Sequence, residues 1–399
     1  MEIQKRIVSL DMLRGVAVLG ILVMNIQSFS MPTAAYINPT AYGDLNGLNR
    51  WIWILSHLLA SEKFISIFSM LFGAGVLIFA ENATEKGQNF ALLHYRRMAW
   101  LLVFGLLHGY LLWYGDILFT YGLCGMLLFV FRKLPPKKLI WIGLGFFLVP
   151  MVLDTLFASS MPNWPKESLS STMQSWRPEE AYIQQTLNAY RGGWMEQMEQ
   201  RVPGYLFMQT GLFFMQTFWR ATSMMLLGLA LFKWQVLSAG RSAGWYLRLT
   251  LVGLIPGMLL SSTGVALNFR MQWSMEFSMF LGKQFNYLGS VLTALGYVGL
   301  VMLTVKLSSF RGVKNTLAAV GRMAFSNYIL MTLICTFLFY GHGLGLFGHV
   351  ERKSQALMVV GIWAVILIIS PLWLRSFRYG PLEWFWRRLT YGQWPPLKK

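Results

Sequence analysis

The amino-acid sequence predicts an all-α fold, a polytopic transmembrane helical bundle, on three observations. Of its 399 residues, 55% are hydrophobic and only 13% charged, about half the charge density of a soluble domain. Mean hydropathy is +0.49, and 17 Trp and 29 Phe can supply the aromatic belts of two bilayer interfaces. The apolar residues are also gathered into about ten runs, most of them near the roughly 20 residues that a helix needs to cross the hydrocarbon.

These runs lie near 12–31, 60–80, 98–114, 117–131, 138–158, 207–232, 244–267, 284–306, 317–340 and 356–374. Lys5 and Arg6 precede the first as in a secretory signal. That run leads into Asn25 and "SFSMPTAAY", with nine more runs behind it, so it reads as an uncleaved helix. Ahead of the second, Trp51 to Ala60 reads as a short interfacial piece, with Glu62 and Lys63 near the outer interface. The third and fourth hold only 17 and 15 residues, about 25 and 22 Å of helix. The turn "YGD" between them therefore lies below the outer surface, where polar backbone is tolerated only against protein or a water-filled cavity.

Behind the fifth run comes the longest polar stretch, 159–203, an extracytoplasmic loop with a helix expected over 179–198. Past the tenth, "GPLEWFWRRLTYG" puts Pro381 at a first helical position and Leu382, Phe385, Trp386 and Leu389 on one face. With Arg387 and Arg388 beside that face, 379–392 reads as a helix on the cytoplasmic leaflet. No long repeat or separate soluble domain interrupts the chain, so 1–399 reads as one integral membrane domain.

Charge fixes the expected orientation. Alternating ten spans from a cytoplasmic N-terminus places 22 Lys and Arg inside and nine outside, which supports both termini in the cytoplasm. The net charge of +18 does not imply nucleic acid, because the basic residues cap apolar segments rather than forming one stripe. Cys124 and Cys335 both sit in apolar runs, so neither a disulfide framework nor a metal-type spacing is expected. In the external loop "YGHGLGLFGH" two histidines stand seven apart, weak support for a metal, and none is expected. P-loop, GxSxG and HExxH motifs are absent.

Ionisable groups at bilayer depth cost at least about 2.5–3.5 kcal/mol on insertion scales, so each needs a reason. Asp11 and Arg14 are three apart and can pair on one helical turn. Arg14 can instead face a cytosolic ligand's phosphates, with Gly15 allowing close approach. Asn25, eleven residues on, returns to nearly the same face. His57, Lys63 and Arg220 are candidates for substrate binding, Arg220 with a carboxylate or an aromatic face as partner. Arg97 and His108 are also eleven apart, a cation at the cytoplasmic mouth and an imidazole about 16 Å further in. Asp116 is a natural N-cap for the fourth span. Two readings of His108 stand: a hydrogen bond to a neighbouring helix across Gly105 or Gly109, or a functional base.

Five blocks carry a resemblance: "SLDMLRGVAVLGILVMNIQSFSMPTAAYINPTAYG", "KFISIFSMLFGAG", "LLHGYLLWYGDILFTYG", "GRMAFSNYILMTLICTFLFYGHGLGLFG" and "GPLEWFWRRLTYG". In order and over nearly the whole chain, these resemble the YeiB-type family of bacterial inner-membrane proteins. That family is similar to a wider group of transmembrane acyltransferases, including the lysosomal heparan-glucosaminide acetyltransferase. The resemblance implies a bundle that binds acyl-CoA from the cytosol and passes the acyl group to an acceptor. Its first-helix "RG" carries over to Arg14 and Gly15, and its asparagine to Asn25. The lysosomal enzyme uses a histidine in its first extracytoplasmic loop. Residues 30–50 here contain none and His57 falls later, which leaves His108 the better-placed imidazole.

The leading expectation is therefore an acyltransferase. Arg14, Arg96, Arg97 and Arg322, with Asn25, would bind acetyl-CoA or another acyl-CoA, since guanidinium forks fit its phosphates. His108 would act as general base on an acceptor hydroxyl or amine, oriented by Asp116. On a straight helix the two lie about 12 Å apart, so contact needs a break near Gly109 or a bridging water. The competing expectation is a transporter or efflux protein for a small metabolite, using the same groups as a path. A third reading is a structural membrane protein in which these groups serve only helix packing. Membrane lipids and a small-molecule acceptor or solute are the expected partners, a homodimer is compatible, and nucleic acid is not expected.

Overall fold

The computed structural model describes residues 7–399. Lys5 and Arg6, invoked above for orientation, lie outside the described residues. Every apolar run is helical, and among the described residues there is no strand, only one isolated bridge between Phe377 and Lys398.

The chain opens with α1 (Val8–Ser30), followed by short α2 (Thr33–Ile37), α3 (Gly47–Leu59) and α4 (Lys63–Glu85). Next come α5 (Phe90–Leu111), whose first turn is capped by the Asn89 side chain on Leu92 N at 3.2 Å, and α6 (Leu118–Phe131). Pro136 begins α7 (Pro136–Ser160), and α8 (Lys166–Trp176), α9 (Glu180–Arg191) and α10 (Met198–Gln209) follow. A π-helical segment, Phe213–Thr217, leads into α11 (Phe218–Lys233). Ser242 caps α12 (Ala243–Arg270) through Trp245 N. A single turn, α13 (Met275–Phe277), and a second π segment, Ser278–Gly282, lead into α14 (Lys283–Lys306). The chain ends with α15 (Arg311–Arg322), α16 (Ala324–Phe339), α17 (Arg352–Ser376) and α18 (Pro381–Tyr391).

Seven helical units among the described residues are long and apolar enough to cross a membrane, or eight if α15 and α16, bent by 80°, form one span. The protein is thus a multi-pass membrane bundle. The other two expected spans are present as helices but short: α6 has 14 residues and α11 has 16, because the run at 207–232 is interrupted at Thr210 and widened by the π turn.

Two expectations need correction, one at the α5–α6 hairpin and one in the polar region 159–203. α5 starts at Phe90 and has 22 residues, so only α6 of the hairpin is short. Trp51–Leu59 lies in α3, and a three-residue break, Ala60 to Glu62, separates it from α4. The polar region 159–203 holds α8 as well as α9, and the expected helix at 179–198 stops at Arg191, where Gly192 and Gly193 follow. The C-terminal helix holds as expected: it runs from Pro381 to Tyr391, inside 379–392, with Pro381 at its first position.

Helices meet where small residues let backbones approach, the usual packing device in lipid. A Cβ on Gly15 would run into Leu317 O and one on Gly321 into Asp11 O, which locks α1 against α15. Gly73 and Gly228 do the same between α4 and α11. Phe68 of α4 touches all three large hydrophobic clusters and so marks the centre of the bundle. The starts of α1 and α5 and the ends of α4 and α6 gather near α18, and the α2, α3, α8 and α9 segments lie at the opposite end.

Candidate functional site

The first site is built by the α5–α6 hairpin. α5 ends at Leu111, where Leu112 N and Trp113 N both donate to His108 O at 2.9 Å. The chain then folds back through Trp113, Tyr114 and Gly115. This break, not one at Gly109, brings His108 Nδ1 to Asp116 Oδ1 at 2.8 Å with no bridging water needed. Both residues are buried, His108 2% and Asp116 4% exposed. Asp116 Oδ2 accepts Phe119 N at 2.8 Å from one residue ahead of the N-cap, Ile117, so it serves the first turn of α6 without occupying the N-cap position expected from sequence. Tyr205 OH of α10 completes the shell, 3.3 Å from Asp116 Oδ2 and donating to Gly105 O at 2.8 Å.

Asp116 Oδ2 is taken up by the Phe119 amide and Oδ1 faces His108 Nδ1, which favours the tautomer with hydrogen on Nδ1 donating to Oδ1. His108 Nε2 is then the basic nitrogen. It lies 3.0 Å from Thr332 Oγ1 of α16, whose other neighbour is Tyr328 O at 3.3 Å. Tyr328 and Trp113 wall the imidazole, with ring centroids 5.1 and 6.2 Å away. Beside Thr332 is a void of about 10 Å³ lined by Asn25, Phe29, Trp113, Tyr328 and Met331, enough for one water. Asn25 of α1 thus shares this void with Thr332, Trp113 and Tyr328, the residues around the imidazole, though His108 itself does not line it.

Of the candidate cations, Arg14 and Arg97 come within electrostatic reach of each other. Arg97 lies between two rings, 4.1 Å from the Trp386 centroid and 4.9 Å from Phe79. Trp386 Nε1 donates to Arg97 O at 3.0 Å. Arg387 and Arg14 stand within electrostatic reach of Arg97, and Arg14 pairs with Asp11 at 3.3 Å as the spacing suggested. Arg96 is exposed beside Gly392, and Arg322 donates to Arg378 O at 3.1 Å. Three like charges, Arg14, Arg97 and Arg387, thus stand near one another, and guanidinium groups so placed suit a multiply charged anion such as a pyrophosphate.

A second buried cluster lies at the opposite end, around the α3–α4 break. Lys63, fully buried, donates to Asn286 Oδ1 at 2.5 Å and to His57 O at 3.0 Å. Arg220 meets Glu62 at 3.3 Å, the Ser66 and Ser290 hydroxyls at 3.1 and 2.7 Å, and the face of Tyr287 at 4.5 Å. Both partners expected for Arg220, a carboxylate and an aromatic face, are thus present. His57 stands at the edge of this cluster: its carbonyl accepts from Lys63, and its ring stacks on Trp53 at 5.0 Å.

Sequence reasoning missed Thr332, Tyr205, Asn286 and Glu383. The first three are single polar groups in apolar or mixed helices and carry no spacing signal. Glu383 of α18 accepts Phe325 N and Ser326 N at 2.7 and 3.2 Å, closing the N-terminus of α16. Burial raises its carboxyl above the usual carboxylate range, against the pull of these donors and the Ser326 hydroxyl. No group of three or more potential metal ligands occurs among the described residues.

Residues 231–393 match the model of a family described as "Protein of unknown function (DUF418)". This segment contains Asn286, Arg322, Thr332 and Glu383 but neither His108 nor Asp116. The chain is 35% identical to "Uncharacterized protein YeiB" of Escherichia coli (strain K12) over 390 residues, 97% of this chain and 96% of that protein. It is 32% identical to "Uncharacterized protein YxaH" of Bacillus subtilis (strain 168) over 419 residues, 99% and 96% of the two chains.

Proposed function

The chain belongs to the YeiB-type, DUF418 family, and we propose that it is a multi-pass acyltransferase of the bacterial inner membrane. In this reading the α18 end faces the cytoplasm and receives acyl-CoA. The acyl group, acetyl in the simplest case, passes to a hydroxyl or amine acceptor at or across the membrane. The observation that carries the reading is the buried His108–Asp116 pair, whose geometry leaves one imidazole nitrogen, Nε2, as a base.

The residues divide the work. Arg14, Arg96, Arg97 and Arg322 hold the donor's phosphates, and Asn25 stands beside the dyad where the acyl end would arrive. The donor supplies an activated acyl carbonyl. His108 Nε2 takes the proton as the acceptor's oxygen or nitrogen bonds to that carbon. The carbon–sulfur bond breaks, and the proton returns to the departing sulfur. Asp116 fixes the tautomer and balances the imidazolium formed in between. Thr332 Oγ1, 3.0 Å from Nε2, marks the place of the acceptor's hydroxyl and can turn to Tyr328 O when displaced. With room there for only one water, the bundle must open between α1 and α16 to admit a donor.

A transporter is the second reading. The observation that favours it is the separate Lys63–Arg220 cluster, beside helices interrupted by π segments, since broken helices often frame solute sites in transporters. Protein in nanodiscs, incubated with labelled acetyl-CoA and candidate acceptors, separates the two. Acyl transfer predicts CoA release together with labelled acceptor. Failure to bind any acyl-CoA at millimolar concentration would sink it.

A further inference from the structure

The Lys63–Arg220 cluster has an unbalanced charge. Two cations, Lys63 and Arg220, share one carboxylate, Glu62, which contacts Arg220 at 3.3 Å. The contacts of Lys63 are to neutral oxygens, the amide of Asn286 and the carbonyl of His57. The neighbouring pair Lys283–Asp154, at 2.9 Å, balances itself. The ionised cluster therefore keeps one net positive charge where Lys63 is fully buried. An ammonium buried there with less than a full counter-charge costs several kcal/mol in general, a cost that an anionic ligand would offset.

Its surroundings suit a ligand better than a strut. Ser61, Ser66, Ser261 and Ser290 ring the cluster with hydroxyls. Glu62 is a non-glycine residue at φ 64, in the left-handed region, at the three-residue break between α3 and α4. Its side chain is 29% exposed, so solvent reaches the edge of the cluster. The two π segments end three residues before Arg220 and four before Asn286, and π turns recur at functional sites. Three backbone irregularities thus converge on one charged cluster. One turn-pair along α4 from Lys63, Ser69 hydrogen-bonds Tyr121 OH at 2.7 Å, on α6, the helix whose first turn Asp116 serves.

We infer that this cluster binds a small organic carboxylate, with Lys63 as the charge partner and Arg220 and the serines as further donors. One net positive charge matches one carboxylate, whereas a phosphate near neutral pH brings more negative charge than the cluster lacks. The inference rests on the reading above in one respect: it makes the acceptor, or the solute of the second reading, an anion that enters from the end opposite α18.

The test needs no donor. Thermal unfolding of the purified wild-type protein is followed with benzoate and lactate, and with the matched neutral amides benzamide and lactamide. Inorganic phosphate is the third arm, and Lys63→Met is measured beside the wild type. A carboxylate should raise the wild-type Tm by a few degrees in a saturable manner while its amide does not. Lys63→Met, freed of a buried charge, should melt higher than the wild type without ligand and ignore the carboxylates. A lower Tm for Lys63→Met, a response to phosphate alone, or no wild-type response to any carboxylate would overturn the inference. Carboxylate binding without acyl transfer would instead defeat only the acyltransferase reading.

Discussion

At the scale of residues, the dyad makes sharp demands. His108→Gln keeps a side chain of similar reach but removes the base. Acyl transfer should fall by about 10²–10⁴-fold while yield and Tm stay near wild type. If the protein instead fails to insert or unfold cooperatively, His108 is a packing residue. Asp116→Asn should also cut transfer by at least about 10²-fold, because an amide can donate to the wrong imidazole nitrogen and upset the tautomer. Acyl-CoA binding should survive in both variants. How legible this was differs by residue. His108 and Asp116 stood out because an ionisable group in an apolar run needs a reason. Their contact did not, since helical geometry alone put them about 12 Å apart and α5 ends at Leu111, with three residues still to come before the first glycine of the fold-back, Gly115. Thr332 was invisible: a single hydroxyl in an apolar helix satisfies itself on the preceding turn and announces nothing about a neighbouring helix.

At the scale of elements, two short contacts hold the site together. Gly105 lets α6 approach α5 so closely that a Cβ there would fall 2.9 Å from Asp116 Oδ2 and closer still to Phe119 N. Gly105→Ala must therefore push the hairpin open, at a cost of about 1–3 kcal/mol. A lowered Tm together with lost transfer would show it; wild-type transfer would mean that the hairpin is not part of the site. At the other end, α18 is fastened by Glu383 to the first turn of α16 and carries Trp386 onto Arg97. Glu383→Ala strands two backbone donors and the Ser326 hydroxyl, a loss of about 1–3 kcal/mol for each buried donor left unsatisfied. Limited trypsin digestion should then cut at Arg387 and Arg388 much faster than in the wild type. Unchanged digestion would mean that Glu383 does not hold α18 in place. The amphipathic pattern of α18 was readable from its sequence. Its anchor was not, because nothing local distinguishes Glu383 from an acidic residue placed near a helix start for the dipole.

At the scale of the whole molecule, the sequence made the ten helical segments plain, because lipid leaves an apolar run few alternatives to helix. It did not reveal which runs are interrupted, since the π turns and the 80° bend at Met323 change hydrogen-bond register without changing hydropathy. Orientation follows from charge, and it decides from which compartment donor and acceptor arrive. With 22 Lys and Arg assigned to one side and nine to the other, the α18 end should be cytoplasmic and α8 extracytoplasmic. Cysteine labelling can test this with little background, because Cys124 and Cys335 are both fully buried. Ser171 of α8 and Gln393 behind α18 are exposed and make suitable probes. A membrane-impermeant maleimide applied to intact spheroplasts should label Ser171→Cys, and should reach Gln393→Cys only after the membrane is opened. The opposite pattern would turn the arginine mouth outward, away from cytosolic acyl-CoA. The acyltransferase reading would then fail on topology alone, whatever the chemistry of His108.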